Sequence, residues 1–260
     1  MKRGRPIRRT AATLACAAVL VALTACGDGR GARTGGRSPS AAGESTVLDG
    51  DSSELERLTA QQIYDMSRAA NASAGSYRER MTRADARTNL LLSASECSGI
   101  VEVTGQGAFN VIVKDGDVWA KLDQATAVWA SEQGGIVLPE GTWLHGTPED
   151  PLMARLASWC HASSFGGPGT AGVKLSGPLI RGDVTTLDDG RQAIPVSANG
   201  ASVTWYVAAV GRPYLLRQVA AHADMANITY SDFGTPVQAE APTGSIKEAP
   251  TGAWPDSKLR

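Results

Sequence analysis

Phe109-Asn110-Val111-Ile112-Val113-Lys114-Asp115-Gly116-Asp117-Val118-Trp119-Ala120-Lys121-Leu122 carries the clearest structural signal in this chain. Asp115-Gly116 is a two-residue turn of the primed type, flanked by alternating runs, and predicts a β-hairpin. Setting Lys114 opposite Asp117 pairs Val113 with Val118, Val111 with Ala120 and Phe109 with Leu122. Those six residues form one apolar face. The other face holds Asn110, Lys114, Asp117 and Lys121, with Ile112 and Trp119 as its one apolar pair. A sheet with one covered side and one wet side is antiparallel far more often than parallel.

Outward from the hairpin, residues 76–83 alternate, with Tyr77, Glu79 and Met81 on one side, and residues 88–95 and 99–104 read as two further strands. Thr59 and Gln62 fit a capping box, and Leu58 and Ile63 fit a hydrophobic staple, so a helix starts there. Its predicted face is Ile63, Met66 and Ala70, and residues 71–75 end it. Short helices are predicted over 124–133 and 151–159, and a glycine-rich loop over 165–172. Strands resume over 192–197, 202–210, 214–222 and 226–232, with Gly211-Arg212-Pro213 joining two of them. Strands, then helices, then strands without regular alternation predict an α+β fold.

The chain has 260 residues, of which 42% are hydrophobic and 20% charged. That composition is globular, and excludes collagen, coiled coil and polytopic membrane protein. The formal charge of −1 conceals an asymmetry. The first 25 residues hold five cations and no acid, so beyond them 20 bases face 26 acids, a net −6. Nucleic acid is excluded as a partner on that balance, because phosphate binding needs clustered Lys and Arg.

Residues 1–9 are basic, and residues 11–22 form an apolar run too short to span about 30 Å of hydrocarbon. Leu23-Thr24-Ala25-Cys26 follows, then Gly27. This order resembles the lipobox of bacterial lipoprotein signal peptides. The resemblance implies that residues 1–25 are a signal peptide and that Cys26 becomes the acylated first residue, palmitate among its chains. A plain secretory peptide with a chance cysteine is the alternative. Arg8-Arg9 leaves both the general and the twin-arginine export routes open. Two acyl chains hold a protein stably where one holds marginally. Residues 26–53 then form the lipidated cysteine and a flexible tether, 54–242 the folded domain and 243–260 a disordered tail.

With Cys16 lost and Cys26 acylated, Cys97 and Cys160 remain for an exported compartment, where disulfides persist. Either they form a disulfide or they are buried free thiols. No metal site is predicted, since Cys160-His161 has no second ligand cluster. Gly-x-Ser-x-Gly, Ser-x-x-Lys, His-Glu-x-x-His and Cys-x-x-Cys are all missing from the sequence. Gly167, Gly169 and Gly172 spell a dinucleotide fingerprint but lack its strand–helix context. His145, His161 and His222 have no inferable nucleophile, with His222 placed in a half-exposed strand. Asp115 and Asp117 are turn residues. Trp119 is a candidate contact residue on the wet face, and Trp159 packs beside Cys160.

The series continues with Cys97-Ser98-Gly99, the hairpin, Trp205-Tyr206-Val207, Gly211-Arg212-Pro213-Tyr214-Leu215-Leu216-Arg217 and Tyr230-Ser231-Asp232-Phe233-Gly234-Thr235-Pro236-Val237. Behind a lipobox, it is similar to actinobacterial envelope lipoproteins of the LppX/LprG type, themselves distantly like the lipoprotein carrier LolA. The resemblance implies a strongly curved antiparallel sheet, a half-open barrel, with helices covering the concave face. In several members an apolar cavity between sheet and helices holds acyl chains of lipids or lipoglycans. The expectation is an anchored, non-enzymatic module without a cofactor, on the extracytoplasmic face of the cell membrane. Its partner is a lipid or other amphiphile. The alternative is a filled domain that binds envelope proteins.

Overall fold

The computed structural model describes residues 52–135, 137–161, 177–198, 203–222 and 224–251. Cys26, the signal peptide, the tether up to residue 51, the glycine loop at 165–172 and residues 252–260 lie outside the described residues. The helices are α1 (Ser52–Leu55), α2 (Ala60–Ser73), α3 (Gln124–Gly134) and α4 (Pro151–Ala157), the last running into a 3-10 turn at Ser158–His161. The strands begin with β1 (Ser76–Thr82), β2 (Ala86–Ser93), β3 (Cys97–Val103), β4 (Gly107–Lys114), β5 (Asp117–Leu122) and β6 (Trp143–Gly146). They continue with β7 (Leu179–Arg181), β8 (Thr185–Thr186), β9 (Gln192–Ala198), β10 (Val203–Ala208), β11 (Leu215–Ala220), β12 (Asn227–Ser231) and β13 (Ile246–Glu248).

All 13 strands form one sheet, in the order β13-β6-β5-β4-β3-β2-β1-β12-β11-β10-β9-β7, with β8 paired to β9. Every pairing is antiparallel except β13 on β6. The fold is therefore the α+β architecture expected. The β4–β5 hairpin has the expected register, from Lys114↔Asp117 to Phe109↔Leu122. Its turn residues Asp115 and Gly116 have φ of 53° and 90°, the left-handed pair such a turn needs.

One face of the sheet is the core. Tyr77, Leu90, Leu92, Val101, Phe109, Val111, Val118, Ala120, Leu122 and Leu144 are buried there, strand after strand. The helices lie over this face. α2 touches β1, β7, β9, β10 and β11, and α3 and α4 touch β4 and β5. One 14-residue helix meeting five strands is the mark of a sheet that curves round it.

α2 begins at the expected capping box, with Thr59 Oγ1 accepting from Gln62 N at 3.2 Å and Gln62 Oε1 accepting from Thr59 N at 2.9 Å. Its buried face is Ala60, Ile63, Tyr64, Ser67 and Asn71, so Met66 and Ala70 sit at the margin rather than the centre. Asn71 reaches β11: its amide nitrogen donates to Leu215 O at 3.3 Å and its Oδ1 accepts from Leu215 N at 2.9 Å. This substitutes for ladder bonds where the β10–β11 register shifts between Tyr206 and Val207.

Of the tail expected at 243–260, the described part, 243–251, includes a strand, β13. β12 borders β1 and β13 borders β6, so the intervening residues cross the opposite, outer face of the first six strands. Thr235, Pro236 and Gln238 lie against Arg78, Asn89, Leu91, Ser98 and Ile100 of that face and enclose a groove of about 470 Å³. Ala239 is buried within this strap. The strap is tied at its start by Ser76 Oγ to Thr235 O at 2.5 Å and at its end by Ala249 N to His145 O at 2.6 Å. β13 escapes a reading of periodicity because all three of its side chains are exposed.

Candidate functional site

The place where α3 and α4 lean on β4 and β5 is the candidate site. Asp123 fixes α3 there. It is the helix N-cap: Oδ1 accepts from Thr126 N at 2.7 Å, and Oδ2 accepts from Ala108 N at 2.8 Å. Thr126 Oγ1 donates to Ala108 O at 3.1 Å, so the first turn of α3 is stitched to the start of β4. Burial works against the Asp123 carboxylate, but the contacts with Thr126 and Ala108 outweigh it and hold the group below the usual range. Gly107 makes the stitch possible. A Cβ at that position would stand 2.5 Å from Asp123 Oδ1 and 2.6 Å from Thr126 N.

α4 is fixed covalently. Cys97 on the core face of β3 is bonded to Cys160 in the 3-10 turn, with the Cα atoms 5.8 Å apart and 63 residues between them in sequence. Leu152, Met153 and Leu156 of α4 are buried beneath it. Trp159 is partly buried against the same core.

Between these supports lies an apolar pocket lined by Val103, Phe109, Leu122, Trp129, Leu152 and Leu156. Its volume is about 10 Å³, the space of a single water. Gln106 and Thr126 also line it, and the buried Gln106 Oε1 has no hydrogen-bond partner. Elsewhere on the core face, Trp205 Nε1 donates to Gln218 Oε1 at 3.1 Å, and the Tyr64 and Trp205 rings meet at 4.9 Å. Tyr77, Glu79 and Met81 point inward together, as their alternation predicts. Burial, and then the charge of Glu79, push the Tyr230 phenol well above its ordinary value.

The remaining sequence candidates are scattered. Trp119 is not an open contact residue: it is 8% exposed, and the His145 ring stacks on it at 5.2 Å. His145 lies on the outer face, with Nε2 2.9 Å from Asp117 Oδ1 and Nδ1 3.2 Å from Glu248 Oε1. His222 is exposed in the turn after β11, which ends at Ala220, rather than within a strand. Asn71, first residue of an Asn-Ala-Ser triplet, spends its amide on Leu215. Among the described residues, no group of three His, Cys, Asp or Glu is placed to hold a metal ion. No described helix is long and apolar enough to cross a membrane.

No family model matches the sequence, and no curated protein sequence matches it. Solved structures do. In fold the chain is similar to lipoproteins of the LppX/LprG type. LprF from Mycobacterium bovis is 16% identical, with a TM-score of 0.48, covering 71% of this chain and 97% of its own. The Mycobacterium tuberculosis lipoprotein LppX is 12% identical, with a TM-score of 0.46, covering 70% of this chain and 98% of its own. An uncharacterized conserved protein from Thermus thermophilus is also similar, at 12% identity and a TM-score of 0.33, covering 73% of this chain and 99% of its own.

The lining of the pocket was only half legible in the sequence. Phe109 and Leu122 stand on the predicted apolar face of the hairpin. Trp129, Leu152 and Leu156 come from two short helices whose orientation depends on the Asp123 stitch and the disulfide.

Proposed function

We propose that this chain is an exported lipoprotein, held at the extracytoplasmic face of the cell membrane by acyl chains on Cys26, that binds the apolar part of an amphiphile between its helices and the sheet. It does so without catalysis. The observation that carries the reading is the pocket under α3 and α4: six apolar walls and one unpartnered acceptor, Gln106 Oε1. A mainly apolar lining with two polar residues, Gln106 and Thr126, suits a ligand with a hydrocarbon portion and a hydrogen-bonding group. Each methylene taken from water contributes about 0.8 kcal/mol. A buried acceptor without a donor costs about 1–3 kcal/mol, which a ligand hydroxyl or amide would recover. At about 10 Å³ the pocket is closed, so entry means that α3 and α4 part from β4 and β5.

The same small volume favours a second reading, a filled domain that presents its surface to envelope proteins. Native mass spectrometry of the full-length protein, with a fluorescent C16 fatty acid as probe, separates the two. Retained acyl species, or one-to-one uptake of the probe that Leu156→Arg abolishes, supports the pocket. A bare mass with no uptake supports the filled domain. The anchor is tested separately: Cys26→Ala moves the protein from the detergent phase to the aqueous phase on Triton X-114 partitioning.

A further inference from the structure

The outer face carries a row of residues in direct register across five strands: Ser98 on β3, Ile112 on β4, Trp119 on β5, His145 on β6 and Glu248 on β13. His145 stands between the body of the sheet and the strand that ends the strap. Both of its ring nitrogens face carboxylates, Asp117 at 2.9 Å on Nε2 and Glu248 at 3.2 Å on Nδ1. An ionised carboxylate only accepts, and a neutral imidazole carries only one N–H. Both bonds therefore form together only when the ring is imidazolium. The neutral ring must give up one, and the better-anchored partner is Asp117, whose side chain is 44% exposed against 80% for Glu248.

We propose that His145 is a pH-operated clasp: as imidazolium it ties β13 and the end of the strap to the sheet, and as the neutral ring it releases Glu248, loosening β13 from β6. Beside this clasp the strand is held by its short backbone ladder, flanked by Trp143 N donating to Ser245 O at 3.1 Å and Ala249 N donating to His145 O at 2.6 Å. Its register with β6 covers three residues, Ile246, Lys247 and Glu248, all exposed. Only the neighbouring Ala249 is buried.

The two carboxylates beside His145 act in one direction. Hydrogen bonding to Asp117 is the largest effect, burial opposes it, and hydrogen bonding to Glu248 and the charges of both carboxylates add to it, so that His145 is raised above its usual 6.5. Two lysines share this face: Lys114 stands opposite Asp117 in register and lies 3.9 Å from Glu96, and Lys121 stands opposite Trp143. Lys247 stands opposite Leu144, on the other face. A histidine with a raised folded pKa contributes stability that is complete below its unfolded value and is lost as pH rises through the folded one. The clasp is thus shut in mildly acidic surroundings and open in alkaline ones. The inference does not depend on an acyl ligand.

Hydrogen exchange on the full-length protein tests it, read as protection factors so that the intrinsic pH dependence of exchange divides out. Between about pH 5.5 and about pH 8.0, protection at residues 246–249 falls roughly two- to fivefold, the range of one exposed ion pair, while β4 and β5 are unchanged. His145→Gln and Glu248→Gln each remove that pH dependence, and the second, at an exposed position, leaves the fold intact. NMR of the His145 ring shows its titration moving down in Glu248→Gln. Equal protection at both pH values in the natural protein overturns the proposal. So does a pH dependence that survives either substitution.

Discussion

The two faces of the sheet are covered in different ways. The concave face is covered by α2, α3 and α4, through fully buried Ile63, Leu152, Met153 and Leu156 and through the Cys97–Cys160 bond. The outer face is crossed by the strap, held by backbone bonds at its two ends, an Arg78–Asp232 pair at 2.5 Å and the His145 cluster. Tyr214 and Phe233 stack at 4.0 Å where the strap begins, over a small separate cluster with Leu187, Ala193, Ala208 and Leu216. Hydrophobic burial scales with area and is indifferent to pH, whereas exposed ion pairs are individually worth little and respond to pH and salt. The concave cover is part of the fold. The outer cover is an attachment to it.

Substitutions at three places sharpen this contrast, in decreasing order of effect. Replacing Cys97 and Cys160 together by Ala should lower stability most, by about 4 kcal/mol for a loop of 63 residues, measured by urea unfolding. A loss below about 1 kcal/mol would mean that apolar contacts alone hold α4. Asn71→Ala should cost about 2 kcal/mol, because it strands the buried N–H and C=O of Leu215. Asn71→Asp keeps the acceptor but sets a buried carboxylate oxygen against Leu215 O, and should cost at least as much at neutral pH. Asp123→Ala should cost about 1 kcal/mol, the worth of an N-cap. Because the Asp123 carboxyl is held below its usual 3.8, that contribution is present above 3.8 and lost as pH falls through the folded value. Wild type and variant should therefore converge in urea midpoints at strongly acidic pH. Persistent separation there would assign the effect to packing instead.

What could be read from the sequence was local. The hairpin register followed from Asp115-Gly116 and one alternating face, and the α2 cap from Thr59 and Gln62, since each signal lies within a short stretch of chain. The helix face was misjudged by one position because tertiary contacts, the Tyr64–Trp205 ring pair and the Asn71–Leu215 bonds, choose it. β6 and β13 were missed for a different reason. They are four and three residues long and find each other across the chain by a short backbone ladder and one side-chain pair, His145–Glu248. Trp119 looked open to solvent because its cover, His145, belongs to one of those missed strands. The pocket combines a hairpin, two short helices and a disulfide, and no single stretch of sequence carries its shape.

β1 lies between β2 and β12, and joins the two halves of the sheet. Arg78 on β1 and Asp232 just past β12 are 154 positions apart in the chain. Long-range pairing of this kind bears its loop-closure entropy before it gains any contact. A polypeptide delivered from its amino end would hold the flank of β1 unpaired until almost its whole length had arrived. Completion of the sheet is thus a late event in biogenesis, and a chain cut short before Ser231 would expose a bare strand ready to pair with a neighbour.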